Sequence, residues 1–112
     1  MRYALLIYSQ PGSHEALGEV ELQKVIGEYE AIGQRPDVLG GQQLQPVETA
    51  TTVRVQDERT LTTDGPFAET KEVLGGFFLL EADNIDEAIQ VASQVPAARL
   101  AGSVEVRPLV ER

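Results

Sequence analysis

The run Gly76–Glu81 (Gly-Phe-Phe-Leu-Leu-Glu) is the most apolar stretch of the chain, and it limits the fold more than any other segment. A continuous apolar run of this length predicts a central strand. A second run, Tyr3-Ala4-Leu5-Leu6-Ile7-Tyr8, is ended by Ser9-Gln10-Pro11-Gly12 and predicts a first strand over Arg2–Tyr8. It is too short for the core of an export signal and for a bilayer span, which needs about 20 apolar residues. It is therefore read as a buried strand of a cytoplasmic protein.

Two segments carry helical spacing. In Leu17–Ile32 the apolar positions Leu22, Val25, Ile26, Tyr29 and Ile32 fall on one stripe, with Glu19, Glu21, Lys24, Glu28 and Glu30 on other faces. Ser13 and Glu15 predict its start, and Arg35-Pro36 its end. A second helix opens at Asp83-Asn84, where Asn84 and Glu87 have the spacing of a capping box. Its predicted stripe is Ile85, Ala88, Ile89, Ala92 and Val95, and Pro96 ends it.

Between the helices, Val38–Val47 reads as an irregular strand kinked at Gly40-Gly41. Ala50–Gln56 is β-branched and alternating; Asp57-Glu58-Arg59 connects it to a partner strand, Thr60–Thr63. Asp64-Gly65-Pro66-Phe67 is a turn, continued through Ala68–Leu74. Ser103–Leu109, with Val104, Val106 and Leu109, is the last strand, and Glu105 and Arg107 alternate outward. The order β-α-β-β-β-α-β, one strand pair of which reads alternatively as an added hairpin, predicts a single α+β domain over residues 1–112. Its architecture is a ferredoxin-like two-layer sandwich. Two helices cover one sheet face only. The other face must meet a partner or a ligand, so a homodimer through that sheet face, a dimeric α+β barrel-like assembly, is expected.

Composition narrows the chemistry. A chain of 112 residues is one domain. Nine Lys and Arg against 18 Asp and Glu give a net charge of −9, which repels nucleic-acid phosphates and anionic membranes. With no Cys there is no disulfide, thiolate nucleophile or Cys-based metal site, and a single His builds no multi-His site. No metal or cofactor is expected, and neither nucleic acid nor membrane is expected as a partner.

The string Thr63–Gly76 (Thr-Asp-Gly-Pro-Phe-Ala-Glu-Thr-Lys-Glu-Val-Leu-Gly-Gly) resembles the signature of the DGPF-motif proteins within the YCII-related family. Similar blocks occur at Tyr3–Tyr8, at Gly40–Pro46 with Ala50–Arg54, at Asp86-Glu87-Ala88 and at Gly102–Pro108. The resemblance implies bacterial, cytoplasmic, ferredoxin-like dimers of largely unassigned role. Some related proteins process muconolactone, and many DGPF-type genes lie beside genes for extracytoplasmic-function sigma factors. Another branch is proposed to pair a His on the first helix with an Asp after the second strand. Here the helix Leu17–Gln34 has no His, and His14 precedes it, so that pair does not transfer.

Asp64 leads the candidate site residues. At a strand exit before Gly65-Pro66 its carboxylate can face a cleft and act as a general base if burial raises its pKa. Alternatively it caps the turn by accepting backbone N–H bonds, which lowers the pKa. Gly65, which holds the motif's backbone, belongs with the ligand-binding candidates. Lys71 neutralises an anionic substrate, pairs with Asp64, or is a solvated loop charge. Arg54 and Arg107, each flanked by valines, offer bidentate donors to a carboxylate or phosphate if they share a cleft; otherwise they pair with Glu48, Glu69 or Glu105. His14 is a base, a lone metal ligand, or an exposed loop His. Tyr8, at a strand end, carries the tyrosine hydroxyl that can reach a pocket. Phe67, Phe77 and Phe78 are expected in the core. The resulting function is a dimeric domain that binds a small anionic ligand and acts on a small organic acid or lactone through Asp64. The alternatives are a regulatory module docking on a basic sigma factor and a structural dimer without a site.

Overall fold

In the computed structural model, which describes residues 1–112, the elements run β1 (Arg2–Ser9), α1 (Glu19–Gly33), β2 (Val38–Gln43), β3 (Thr51–Gln56), β4 (Arg59–Asp64), β5 (Val73–Glu81), α2 (Ile85–Ala92) and β6 (Ser103–Pro108). The two apolar runs pair with each other: β1 and β5 are the inner strands of a sheet ordered β2-β5-β1-β6. All its pairings are antiparallel. Thus β5 lies between β1 and β2, and β1 between β5 and β6. Each helix crosses over an inserted strand, which is the ferredoxin-like arrangement of an α+β domain.

Alternation along β1 sorts its residues between faces. Tyr3, Leu5 and Ile7 pair with Leu80, Phe78 and Gly76 and point into the core. Tyr3, Leu5 and Leu80 pack with Ala88, Val91 and Ala92 of α2, whereas Ile7 packs with Ile32 of α1, Val95 and Ala97. Both helices therefore cover one face. Leu80 is fully buried, which stabilises the fold by about 2 kcal/mol.

Several local details differ from the sequence-based expectations. Residues 12–17 form a chain of turns, with Ala16 N–H donating to Gly12 O and Leu17 N–H to His14 O. Gly12 there has φ +82°, so α1 starts only at Glu19, after an uncapped Gly18. The start expected at Ser13–Glu15 is not used. The α2 stripe is Ala88, Val91 and Ala92; Ile85 and Ile89 lie at its exposed edge. Val95 is buried, but past the helix end, held by the 3-10 turn at Pro96–Ala98. The cap is as read: Glu87 N–H donates to Asn84 Oδ1 at 3.0 Å. The kink in β2 is a register shift between Val38 and Gly40 that turns Leu39 outward. Phe78 packs against the core, but Phe67 is 79% exposed, because the loop carrying it follows a hairpin that leaves the sandwich.

That hairpin is β3–β4. Its strands pair only with each other. Asp57 and Glu58 turn it with φ 50° and 63°, the left-handed backbone of a two-residue type I′ connection, and Arg59 already belongs to β4. Eleven of its twelve strand residues are exposed and only Thr52 is half-buried, so the hairpin projects as an arm. The radius of gyration is 15.8 Å, against about 13 Å for a chain of this length. The accessible surface is 8001 Å², whereas a folded monomer of this mass exposes about 6,100 Å².

Leu80→Ala leaves a void between β1, β5 and α2. It is expected to cost about 3 kcal/mol in urea unfolding and to lower Tm by more than 10 °C, roughly.

Candidate functional site on the open sheet face

The face without helices is built by the alternate residues. Ala4 lies between Leu79 and Arg107, Leu6 between Phe77 and Glu105, and Tyr8 between Leu74 and Ser103. The centre is apolar; the β6 edge is a polar column. This column follows from the strand period of two, which sends Ser103, Glu105 and Arg107 outward and Val104 and Val106 into the core.

Glu105 ties the column together. Tyr8 OH donates to its Oε1 at 3.5 Å, and Arg107 Nη1 donates to Oε2 at 3.2 Å. Ser103 Oγ donates to Glu72 Oε1 at 2.8 Å. An exposed ion pair of this kind stabilises little. Its chemical meaning lies in the donors left over, since a guanidinium has five N–H groups in a planar fork that fits a carboxylate or phosphate. Tyr8 and Arg107 are thus brought to one place, joined by Glu105.

The other candidates lie elsewhere. Asp64 ends β4 opposite Thr51; it is exposed, and its carboxylate takes part in no protein hydrogen bond. The turn is held instead by Gly65, with φ +102°, whose N–H donates to Ala50 O at 2.7 Å and whose carbonyl accepts from Thr52 Oγ1 at 2.8 Å. Arg54 is on the arm and makes no ion pair, and Arg107 is on a different sheet, so the two share no cleft within one chain. Lys71 is exposed in the loop before β5 and pairs with no acid.

His14 is half-buried rather than exposed. Its Nδ1 is 3.2 Å from Ser13 Oγ, and its Nε2 is 2.9 Å from Tyr29 OH. Tyr29 packs against the cluster of Ile7, Ile32, Val95 and Ala97, so this contact belongs to the helix-covered side. Burial pushes the Tyr29 phenol above its usual pKa. Ser103 carries no signal of its own in the sequence, because its bond to Glu72 and its pairing with Tyr8 join segments far apart in the chain, and Tyr29, read as part of the helix stripe, also gives its hydroxyl to His14.

A shallow concavity of about 450 Å³ lies on the helix layer, lined by Glu28, Ala31, Ile32, Arg35, Gln94 and Arg99. Its cations are already matched. Arg99 binds Glu28 at 2.7 Å, and Arg35 grips Asp37 through two hydrogen bonds of 3.0 Å. Each arginine holds its carboxyl partner below the usual range.

The YCII-related domain matches residues 1–112. The chain belongs to the YCII-related family. An uncharacterized protein of Rhizobium meliloti (strain 1021) is 38% identical over 115 aligned positions, which cover 97% of this chain and 92% of the relative. For this YCII-related chain, family membership fixes the domain without naming a reaction. No helix is long and apolar enough to cross a membrane.

The Arg35–Asp37 pair makes a pH-dependent contribution to stability. With the Asp37 carboxyl lowered in the folded state, the contribution is present above the unfolded pKa, about 3.9, and is lost as pH falls through the lower folded value. Both side chains are more than a third exposed, so the effect is under about 1 kcal/mol. Asp37→Asn is expected to lower urea-measured stability slightly at pH 7, and by less at pH 3.

Proposed function

We propose that this YCII-related chain works as a homodimer that brings two open sheet faces together and holds a small organic anion or lactone between them. The observation that carries this reading is the surface left over: the chain exposes 8001 Å², about 1,900 Å² beyond a folded monomer of its mass. The uncovered face supports it, with an apolar centre of Ala4, Leu6, Phe77 and Leu79 beside a polar column on β6. Arg107 and Tyr8 are the anion's donors. Asp64 is the general base that moves a proton on the bound acid or lactone; its unbonded carboxylate supports that role, and desolvation in the dimer would suit it to the task. Asp64-Gly65-Pro66-Phe67 supports membership of the DGPF-motif subgroup. Cytoplasmic placement rests on the resemblance to that subgroup. The net charge of −9 supports a second reading, docking of a basic protein surface such as a sigma factor, through contacts that moderate salt would abolish.

A thermal-shift screen against small carboxylic acids, lactones and sugar phosphates tests the first reading. A ligand at a hundred times its Kd stabilises the folded state by about 2.7 kcal/mol. The expected result is a hit whose shift falls in Arg107→Gln and changes in Asp64→Asn. A hit unchanged in both variants removes these residues from the site.

A further inference from the structure

An isolated two-stranded hairpin is marginal in water. Yet β3–β4 stands away from the sandwich with both faces wet. Its register shows what each face offers. Thr51, Val53 and Val55 lie on one face, opposite Asp64, Thr62 and Thr60. Apart from Asp64 at its base, that face is uncharged and largely β-branched, and Val53 and Val55 are 59% and 65% exposed.

We propose that β3–β4 is an arm that lays its Val53/Val55 face on the open sheet of a second copy and carries Asp64 into the interface. This rests on the homodimer reading above and extends it, because the candidate site is then shared: Asp64 comes from one copy, Tyr8 and Arg107 from the other. Three observations favour a second copy as the occupant. The surface in excess of a monomer's is about 1,900 Å² per chain, and twice that falls within the 2,000–5,000 Å² that obligate homodimers bury, about what two arms and two sheet faces would remove from water. Two copies of charge −9 repel except through uncharged patches, and the arm face and the sheet centre are both without charge. The charges at their margins are opposite: Asp64 at the arm base, Arg107 at the sheet edge. A two-fold axis makes the contact reciprocal, so each arm covers the other copy's sheet.

Sedimentation equilibrium on the full chain tests this with two variants. Val53→Lys/Val55→Lys changes exposed side chains only, so it keeps the wild-type circular dichroism. Its dimer dissociation constant is expected to rise at least about tenfold. Phe77→Lys disrupts the sheet face itself. If the arm variant associates like wild type while Phe77→Lys does not, the arm proposal is overturned and the sheet-face dimer stands. If the wild type is a monomer, or if neither variant weakens it, both are overturned.

Discussion

A four-stranded sheet has two faces, and this chain brings helices to only one of them. The central strands β1 and β5 are apolar on both sides, so Tyr3, Leu5 and Leu80 find α2, whereas Ala4, Leu6, Phe77 and Leu79 meet no layer of their own chain. The one-sided core follows from that imbalance, and the projecting β3–β4 arm adds to the exposed surface. Thirteen buried hydrophobic residues make a small core for 112 residues. Small domains gain stability by extending their core across an interface.

The fold also separates its charges. On the helix layer, Arg35 and Arg99 are each closed off by an acid, so the concavity there is matched and quiet. On the open face, Arg107 spends one donor on Glu105, which also accepts from Tyr8. Asp64, the residue with the most suitable chemistry, sits on neither surface but at the base of the arm. Its environment is therefore decided by whatever the arm touches. An aqueous carboxylate is a weak base; a desolvated one is stronger.

Most of the fold was legible in the sequence because its signals are local. The two apolar runs, the Asn84–Glu87 cap and the alternation of Val104, Glu105, Val106 and Arg107 each lie within a few residues, and each of these signals marks an element of the expected type, although β5 begins at Val73, inside the segment read as a loop. What the sequence hid was set by the third dimension. Phe67 looked like core because it is large and apolar, but its loop leaves the sandwich with the arm. His14 looked like a loose loop residue, until the fold set its ring 2.9 Å from the hydroxyl of Tyr29, fifteen positions on. The pairing of Tyr8 with Ser103 brings Glu105 within reach of its hydroxyl, a contact spanning almost the whole chain. Asp64 was recognisable by its motif, yet whether it caps a turn or works as a base is not written in four residues. The turn is held by Gly65 and Thr52, which leaves the carboxylate free.

Hydrogen exchange of the wild-type chain reads the arm and the sheet separately in one sample and so shows whether a second copy covers the arm. Amides of Thr52, Arg54, Leu61 and Thr63, which bond across the hairpin, are expected to exchange slowly at high protein concentration and to speed up on dilution. Those of Leu5 and Leu80 should stay protected throughout. Arm amides that exchange at unprotected rates at every concentration, beside a protected core, would contradict it.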